Sequence, residues 1–309
     1  MEKQRVLAVV GATASGKSDL ALWLCEQLNA ELICMDSMQI YRHMDIGTAK
    51  PTPAERSRVP HHLLDIVEPA EPYTVAEYVR DAGKALADIA ARGHTAVLTG
   101  GTGLYLKALM HGLALGGTKG DERVRAKYET IGAEENGKER LHALLAQIDP
   151  PTAARLHVND VRRVVRALEI QELTGVPMSA QQPREAVTPY EVLPMALAMP
   201  REKLYARIDR RVEHMLALGL VDEVRMLLEG GVSPEAQAMQ AIGYKEMIPV
   251  VLSGAPLGAA VVTLQQNTRH YAKRQGTWFR AEPAVCWLDA DAPELHAAAL
   301  AMSRTFLEA

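Results

Sequence analysis

Short apolar runs alternate with segments of helical periodicity in the N-terminal part of the chain. The apolar runs are Arg5–Val10, Glu31–Met35 and Thr95–Thr99, and each stops at a glycine or a polar residue. Between them, Asp19–Leu28 and Val75–Ala91 place apolar residues at the spacing of an amphipathic helix. Strands that alternate with helices predict an α/β fold, with a parallel sheet covered by helices on both faces.

Candidate binding or catalytic residues stand at the carboxyl ends of the predicted strands. Gly11, Asp36 and Thr99 each stand at or just after the end of one apolar run. Open parallel sheets bind their ligands at the carboxyl ends of the strands. We therefore expect these three residues to converge on one crevice.

The pattern changes between residues 118 and 189, where charged and helix-forming residues dominate and no strand is predicted. We interpret 118–189 as a helical insertion domain, placed within a core of residues 1–117 and 190–309. The core resumes with a strand at Val192–Met199 and an amphipathic helix predicted to run from Arg201 to Glu229. Another helix, Thr263–Phe279, and a short strand, Ala284–Leu288, complete the core.

The composition is that of an ordinary globular protein, since 48% of the 309 residues are apolar and 23% are charged. The three cysteines are odd in number and widely spaced, which disfavours a disulfide framework or a cysteine metal site. No apolar stretch approaches the roughly 18 residues of a membrane span, so we expect a cytoplasmic protein without a membrane partner. The net charge of −4 argues against indiscriminate coating of nucleic acid, but it allows a local basic surface.

A phosphate-binding loop is predicted at GATASGKS, which matches the P-loop pattern G-x-x-x-x-G-K-[ST] and lies between a strand and a helix. Glycines let the backbone turn its N–H groups toward one anion, Lys17 adds a full charge, and the Ser18 hydroxyl is a candidate ligand of Mg²⁺. A diphosphate or a nucleotide triphosphate such as ATP is the expected guest. The alternative is a chance glycine turn. The candidate phosphate-binding residues are Gly11, Ala12, Thr13, Ala14, Ser15, Gly16, Lys17 and Ser18.

The second predicted strand delivers Asp36-Ser37-Met38-Gln39 to the same crevice. Asp36 is a candidate general base or metal ligand, although an aspartate at this position is more often a helix cap or a solvated loop residue. The Gly100–Gly103 turn after the third strand is also suited to anions, but a glycine cluster alone is usually only a tight connection.

Seven segments, taken in order along the chain, closely resemble the bacterial tRNA dimethylallyltransferases. They are GATASGKS, DSMQIYRHMDIGTAKP from Asp36, PHHLLDI from Pro60, GGTGLYLKAL from Gly100, NDVRRVVRALEI from Asn159, QAIGYKE from Gln240 and NTRHYAKRQGTWFR from Asn267. The resemblance covers nearly the whole chain. It implies transfer of a dimethylallyl group from dimethylallyl diphosphate to N6 of adenosine 37, in tRNAs that read codons beginning with U.

The resemblance also implies roles for individual residues. Thr13 and Ser15–Ser18 hold the diphosphate, and Asp36 acts on the adenine amino group. Thr102 and Arg125 line the reaction channel. Lys17 is a further catalytic residue. Arg123 is the alternative to Arg125, because the segment DERVR lacks the proline usual after its first aspartate. The residues implied in tRNA contact are Asp36, Ser37, Met38, Gln39, Asn159, Asp160, Val161, Arg162, Arg163, Gln240, Ala241, Ile242, Gly243, Tyr244 and Lys245.

A basic and aromatic run, Arg269–Arg280, suits RNA phosphates and unstacked bases, because it contains four basic residues, three aromatic residues and no acid. Without the resemblance, a solvated basic helix face explains it equally well. In the helix that begins at Arg201, acids nearly balance the bases, and we interpret it as an ordinary charged surface from which Arg207 and Arg211 could reach a phosphate.

Three other functions remain open from the residues alone. A P-loop kinase of small metabolites would use Asp36 as a base for a hydroxyl group and would consume ATP. An isopentenyltransferase acting on free AMP, ADP or ATP would not need the helical insertion. A P-loop scaffold that binds nucleotide or RNA without catalysis would not need Asp36 as a general base. The resemblance favours a monomeric tRNA-modifying enzyme with Mg²⁺ as its cofactor.

Overall fold

Six parallel strands form one sheet in the computed structural model, which describes residues 3–112, 120–180 and 188–309. The strands are β1 Gln4–Val10, β2 Ala30–Cys34, β3 His61–His62, β4 Thr95–Gly100, β5 Tyr190–Ala198 and β6 Cys286–Asp289. Their order across the sheet is β3-β2-β4-β1-β5-β6, and every neighbouring pair is parallel. The predicted α/β class with a parallel sheet is confirmed.

The central strand β1 is buried on both faces of the sheet. Val6, Ala8 and Val10 pack into the core on one face, whereas Leu7 and Val9 pack into the core on the other. Burying each of these larger aliphatic side chains contributes roughly 1.5–3 kcal/mol. The continuous apolar run of β1 therefore follows from helices that cover both faces.

Helices surround this sheet in the same unit of the structure. Their bounds are α1 Lys17–Leu28, α2 Pro53–Arg58, α3 Val75–Ala91, α4 Gly103–His111, α9 Arg201–Ala217, α10 Leu220–Glu229, α11 Tyr244–Ser253, α12 Leu257–Arg280 and α13 Leu295–Glu308. In the described ranges, no helix combines the length and the apolarity needed to cross a membrane.

The prediction of one unbroken helix from Arg201 to Glu229 is wrong. The segment forms two helices, α9 and α10, which are separated by Leu218 and Gly219. Gly219 has φ 99°, a left-handed backbone conformation that interrupts a helix and that glycine adopts without the strain a side chain would bring. Helix α12 begins at Leu257, before the predicted start at Thr263.

The chain divides into two compact units between residues 110 and 111 and between 187 and 188. The predicted first boundary of the insertion, at 117/118, lies outside the described residues. The described part of the second unit is helical, with α5 Glu122–Ala133, α6 Gly137–Ile148, α7 Pro150–Arg155 and α8 Val161–Thr174. These helices pack around Tyr128, Leu141, Leu145 and Leu168.

Candidate active site

The phosphate-binding loop has the backbone geometry that the sequence predicts. It leaves β1 at Gly11, with φ 140°, and enters α1 through Gly16, with φ 97°. A Cβ atom added at Gly11 would lie 3.3 Å from Ser15 Oγ and 3.5 Å from the backbone nitrogen of Leu197. Both positions therefore favour glycine, and the loop leads directly into the N-terminus of a helix, where anions bind.

Side chains of the loop face two different cavities. Thr13, Lys17 and Ser18 line one cavity, here called the loop chamber. Ala12 and Ser15 line a separate cavity on the β5 side, and Ser15 Oγ is buried there without a hydrogen-bond partner among the described residues. Ala14 packs in a small apolar cluster with Leu204 and Tyr205 of α9. The phosphate-binding roles predicted for Ala12, Ala14 and Ser15 remain predictions that concern their backbone N–H groups.

Lys17 and Arg211 place two cations beside the loop. Burial, followed by the nearby Arg211 charge, lowers the pKa of Lys17 to about 8, and the Asp36 charge partly opposes this shift. Burial also lowers the pKa of Arg211, whose Nη1 lies 3.5 Å from Thr13 Oγ1. Two desolvated cations close together destabilise each other, so an anion bound between them would relieve the repulsion.

Asp36 follows β2 and lies at the edge of the loop chamber. Its Oδ1 accepts a hydrogen bond of 2.9 Å from the backbone N–H of Met38. The next residue, Ser37, donates its backbone N–H to Thr102 Oγ1 at 3.1 Å. Asp36 thus makes a local capping contact, as expected of an aspartate at such a position, and it also lines the chamber. Thr102 holds the turn that carries Asp36, while its predicted catalytic role remains a prediction.

The loop chamber also has Thr99 in its wall, so the predicted convergence on one crevice is confirmed for Asp36 and Thr99; the phosphate-binding loop lines the chamber through Thr13, Lys17 and Ser18 and not through Gly11. Cys34 at the end of β2 lies beside Thr99, and Val10 at the end of β1 lies beside Gly100. These neighbours explain the convergence, because the carboxyl ends of three adjacent parallel strands meet at one edge of the sheet.

A second cavity of about 290 Å³, here called the helix chamber, lies between the Asp36 turn and helices α9 and α12. Of the residues predicted to contact tRNA, it is lined by Asp36, Ser37, Met38, Gln240, Ala241, Ile242 and Lys245. The same cavity is lined by the apolar side chains of Met215 and Leu264 and by the polar side chains of Thr268 and Arg274. The sequence motifs thus include the Asp36 turn and, within Asn267–Arg280, Thr268 and Arg274 of α12, whereas Met215 and Leu264 lie outside them.

The two chambers share a wall. The residues that line both are Thr13, Asp36, Thr48, Arg211 and Tyr271. The carboxylate of Asp36 is the acidic group of this shared wall, and Arg211 is its cation. A ligand in one chamber would therefore meet a ligand in the other at Asp36.

Several of the residues predicted to contact tRNA make hydrogen bonds within the protein, among them Tyr244, Gly243 and Gln39. Tyr244 is fully buried and donates its hydroxyl to Glu223 Oε1 at 2.5 Å, so its side chain is not exposed to RNA in this structure, and its contact with tRNA remains a prediction. Gly243 is buried, and its N–H donates to Glu246 Oε2 at 2.7 Å. The Gln39 amide donates to the carbonyl oxygens of Thr48 and Ala49. These residues were implied by the resemblance alone, and the fold shows that the Tyr244 side chain points inward.

Gln275 is a site residue that the sequence motifs do not single out. It is 5% exposed, accepts a hydrogen bond of 2.8 Å from the Thr13 N–H, and donates to the Gly101 carbonyl over 3.0 Å. One amide therefore ties the phosphate-binding loop to the turn after β4. Its position in the Arg269–Arg280 run is the available signal, but the basic and aromatic residues of that run indicate RNA binding rather than a neutral amide.

The remaining predicted residues lie in the helical unit. Arg125 places Nη2 3.2 Å from Glu169 Oε1, and the Glu169 side chain is fully buried. Arg163 is exposed and pairs with Asp160 at 3.2 Å at the start of α8, where Arg162 is also exposed. The channel role of Arg125 or Arg123 and the RNA contacts of Asn159–Arg163 remain predictions.

Comparison with known proteins identifies the family. The family model described as IPP transferase matches residues 39–282. The chain belongs to the IPP transferase family. It is 48% identical over 290 residues to the tRNA dimethylallyltransferase of Geobacter metallireducens, with 93% of each chain covered. The family is one of prenyltransferases, and this chain is accordingly a prenyltransferase enzyme.

Solved structures of this family share the fold. The tRNA isopentenylpyrophosphate transferase of Bacillus halodurans is 41% identical, with a TM-score of 0.72 and coverage of 99% of this chain and 100% of that one. A eukaryotic dimethylallyltransferase acting on tRNA is 29% identical, with a TM-score of 0.80 and coverage of 99% and 80%. The resemblance seen in the sequence motifs therefore extends to the whole fold of this IPP transferase family member.

Proposed function

We propose that this enzyme transfers a dimethylallyl group from dimethylallyl diphosphate to N6 of adenosine 37, in tRNAs that read codons beginning with U. The observation that carries the proposal is Asp36 in the wall between the loop chamber and the helix chamber. A donor in one chamber and an acceptor in the other would meet at a carboxylate. Relatives named as tRNA dimethylallyltransferases support tRNA as the acceptor.

The loop chamber suits the donor diphosphate. Lys17, Arg211 and the N–H groups at the start of α1 would bind its oxygens and stabilise the negative charge that develops as it leaves. Removing one such preorganised donor commonly costs about 10²–10³ in rate. The loop in this proposal binds and activates a leaving group, and no nucleotide is hydrolysed.

The helix chamber suits the acceptor base. A base stacked in an RNA loop cannot reach the half-buried carboxylate of Asp36 in the wall between the chambers, so adenosine would be extruded into the helix chamber, as in other enzymes that act on bases. Its N6 attacks the allylic carbon while the bond from that carbon to the diphosphate oxygen breaks. The electron pair leaves with the diphosphate, and Asp36 accepts the amino proton. A basic rim formed by Lys245 and Arg274 suits the flanking phosphates.

Mg²⁺ fits the donor set of the loop chamber. The Ser18 hydroxyl and the Asp36 carboxylate both line it, and these hard oxygen atoms are ligands that Mg²⁺ accepts together with substrate phosphates. The described residues hold no cluster of three or more His, Cys, Asp or Glu side chains that could hold a metal ion. We propose that Ser18 holds Mg²⁺, which when bound would neutralise charge on the diphosphate.

The acceptor distinguishes the competing functions. The enzyme would be incubated with labelled dimethylallyl diphosphate, Mg²⁺ and either an unmodified anticodon stem-loop or free AMP. We expect label in the stem-loop only. Label in AMP alone would indicate a free-nucleotide enzyme, ATP consumption with small alcohols would indicate a kinase, and RNA binding without any transfer would indicate a scaffold. Monomeric state and cytoplasmic location are further expectations, testable by sedimentation and by cell fractionation.

A further inference from the structure

Glu223, a buried carboxylate outside both chambers, holds a loop of the chamber wall. It is 4% exposed and lies on α10. Its Oε2 accepts the backbone N–H groups of Asp45 and Ile46 at 2.9 and 2.8 Å, and its Oε1 accepts that of Gly47 at 3.0 Å. Three successive N–H groups form a concave anion site of the kind proteins use for phosphates. Here the protein fills that site with its own carboxylate.

The fourth hydrogen bond to Glu223 comes from a different segment. Tyr244 Oη donates to Oε1 over 2.5 Å, and its ring lies against Gly47. A Cβ atom added at Gly47 would lie 2.4 Å from Tyr244 Cε2, so no side chain fits there. One carboxylate therefore fastens the Asp45–Gly47 loop to the first residue of α11.

Both fastened segments line the helix chamber. Gly47 and Thr48 contribute one part of its wall, and Gln240–Ile242 with Lys245 contribute another. On its other side, the loop is held through the Gln39 amide, which donates to the Thr48 and Ala49 carbonyls. Glu223 lines neither chamber, so any effect it has on a ligand must act through these walls.

We propose that Glu223 is a positioning residue that sets the separation of two walls of the helix chamber, and thereby the fit of the acceptor adenosine. The inference rests on the proposed function, in which the helix chamber takes the acceptor and the loop chamber takes the donor. Of the three loop residues that Glu223 binds directly, Gly47 lines the acceptor chamber and none lines the loop chamber; Thr48, which lines both, is bonded to Gln39 instead. Loss of Glu223 should therefore affect the acceptor more than the donor.

The chemistry of this carboxylate determines which substitutions are informative. Glu223→Gln keeps the size but presents an NH₂ group to N–H donors, so it retains one acceptor oxygen for four donors. Buried donors left without a partner are costly. Glu223→Asp keeps the charge on a shorter side chain and should restore part of the hydrogen bonding. Tyr244→Phe removes only the fourth hydrogen bond. Asp222→Asn is the matched control, because Asp222 is an exposed carboxylate on the same helix that pairs with Arg225.

The test compares the KM for an anticodon stem-loop with the KM for dimethylallyl diphosphate. We expect Glu223→Gln to raise the RNA KM by about tenfold and Tyr244→Phe by a few-fold, since one lost hydrogen bond is worth about 1 kcal/mol. The diphosphate KM should change less than about twofold, a difference of under 0.5 kcal/mol. Glu223→Asp should recover part of the RNA KM, and Asp222→Asn should match the wild type.

Equal changes in both KM values would overturn the inference. A lower kcat and a lower melting temperature, with both KM values unchanged, would also overturn the inference, because this result would show that Glu223 has a merely structural role. If Glu223→Gln does not fold, an unchanged RNA KM in Tyr244→Phe would overturn the inference in its place. Wild-type protein without activity on RNA would instead refute the proposed function, so the two failures are distinguishable.

Discussion

The pKa of Lys17 leads to a quantitative prediction for donor binding. Burial and the neighbouring Arg211 lower this pKa to about 8, so the free enzyme loses the Lys17 charge as the pH rises through that value. A diphosphate beside Lys17 favours the charged form and should raise the pKa in the complex well above 8. Donor binding should therefore take up a proton at alkaline pH.

The size of the effect follows from the titration of one group. The charged fraction of a group with a pKa of about 8 falls from roughly nine tenths at pH 7 to roughly one tenth at pH 9. If only the charged form binds, donor affinity should fall by about tenfold over this range, or about 1.4 kcal/mol. At pH 8, binding should take up about half a proton for each donor bound.

Titration calorimetry with dimethylallyl diphosphate in the absence of RNA measures both quantities. Runs at pH 7, 8 and 9 give the affinity, and buffers of different ionisation enthalpy give the proton uptake. Lys17→Arg is the matched control, since arginine stays charged throughout the range, and any ionisation of the donor is common to both proteins. The same pH dependence in the wild type and in Lys17→Arg would refute the role given to the Lys17 charge.

Three further substitutions test other parts of the site and the fold. Asp36→Asn should lower the single-turnover rate of transfer by at least about 10², while the Kd for RNA should stay within a few-fold of the wild-type value. Equal losses of rate and of RNA affinity would contradict the role of Asp36 as the base. Gln275→Leu should weaken donor binding, because it releases the Thr13 N–H; unchanged donor affinity would contradict this. Glu31 has its pKa lowered from 4.5 to about 2, chiefly by its hydrogen bonds from Arg92. Its stabilising contribution should be complete above pH 4.5 and lost as the pH falls toward 2. Because Arg92 is half exposed, we expect about 1–2 kcal/mol rather than the roughly 3 kcal/mol of the full shift. In urea unfolding, the free energy of unfolding of Glu31→Gln should fall less between pH 4.5 and 2 than that of the wild type. An equal fall in both proteins would contradict the assignment.

Local patterns predicted the part of the site that lies at the carboxyl ends of the strands. The strands that precede Gly11 and Asp36 are short apolar runs with clear stops, and the phosphate-binding loop has a fixed glycine spacing. These features depend on residues close together in the sequence, so periodicity and motif spacing were sufficient to find them. The break at Gly219 was missed because apolar periodicity continues on both sides of a single glycine.

Contacts between distant segments could not be predicted in this way. The hydrogen bond between Gln275 and Thr13 spans 262 residues, and the bond between Glu223 and the Asp45 N–H spans 178. Arg211 lies in a segment that the sequence predicts to be an ordinary charged helix surface, although one from which Arg211 could reach a phosphate. Its burial beside the phosphate-binding loop depends on how α9 packs on the sheet, which no local pattern contains.

The most direct test of the central claim is nucleoside mass spectrometry of an unmodified tRNA whose anticodon ends in A, after incubation with the enzyme, Mg²⁺ and dimethylallyl diphosphate. Digestion into fragments and then nucleosides locates the modified residue. We predict one added dimethylallyl group, on adenosine 37, and none with Asp36→Asn. Modification of another residue, or an unmodified tRNA under conditions in which the enzyme binds both substrates, would contradict the proposed transfer.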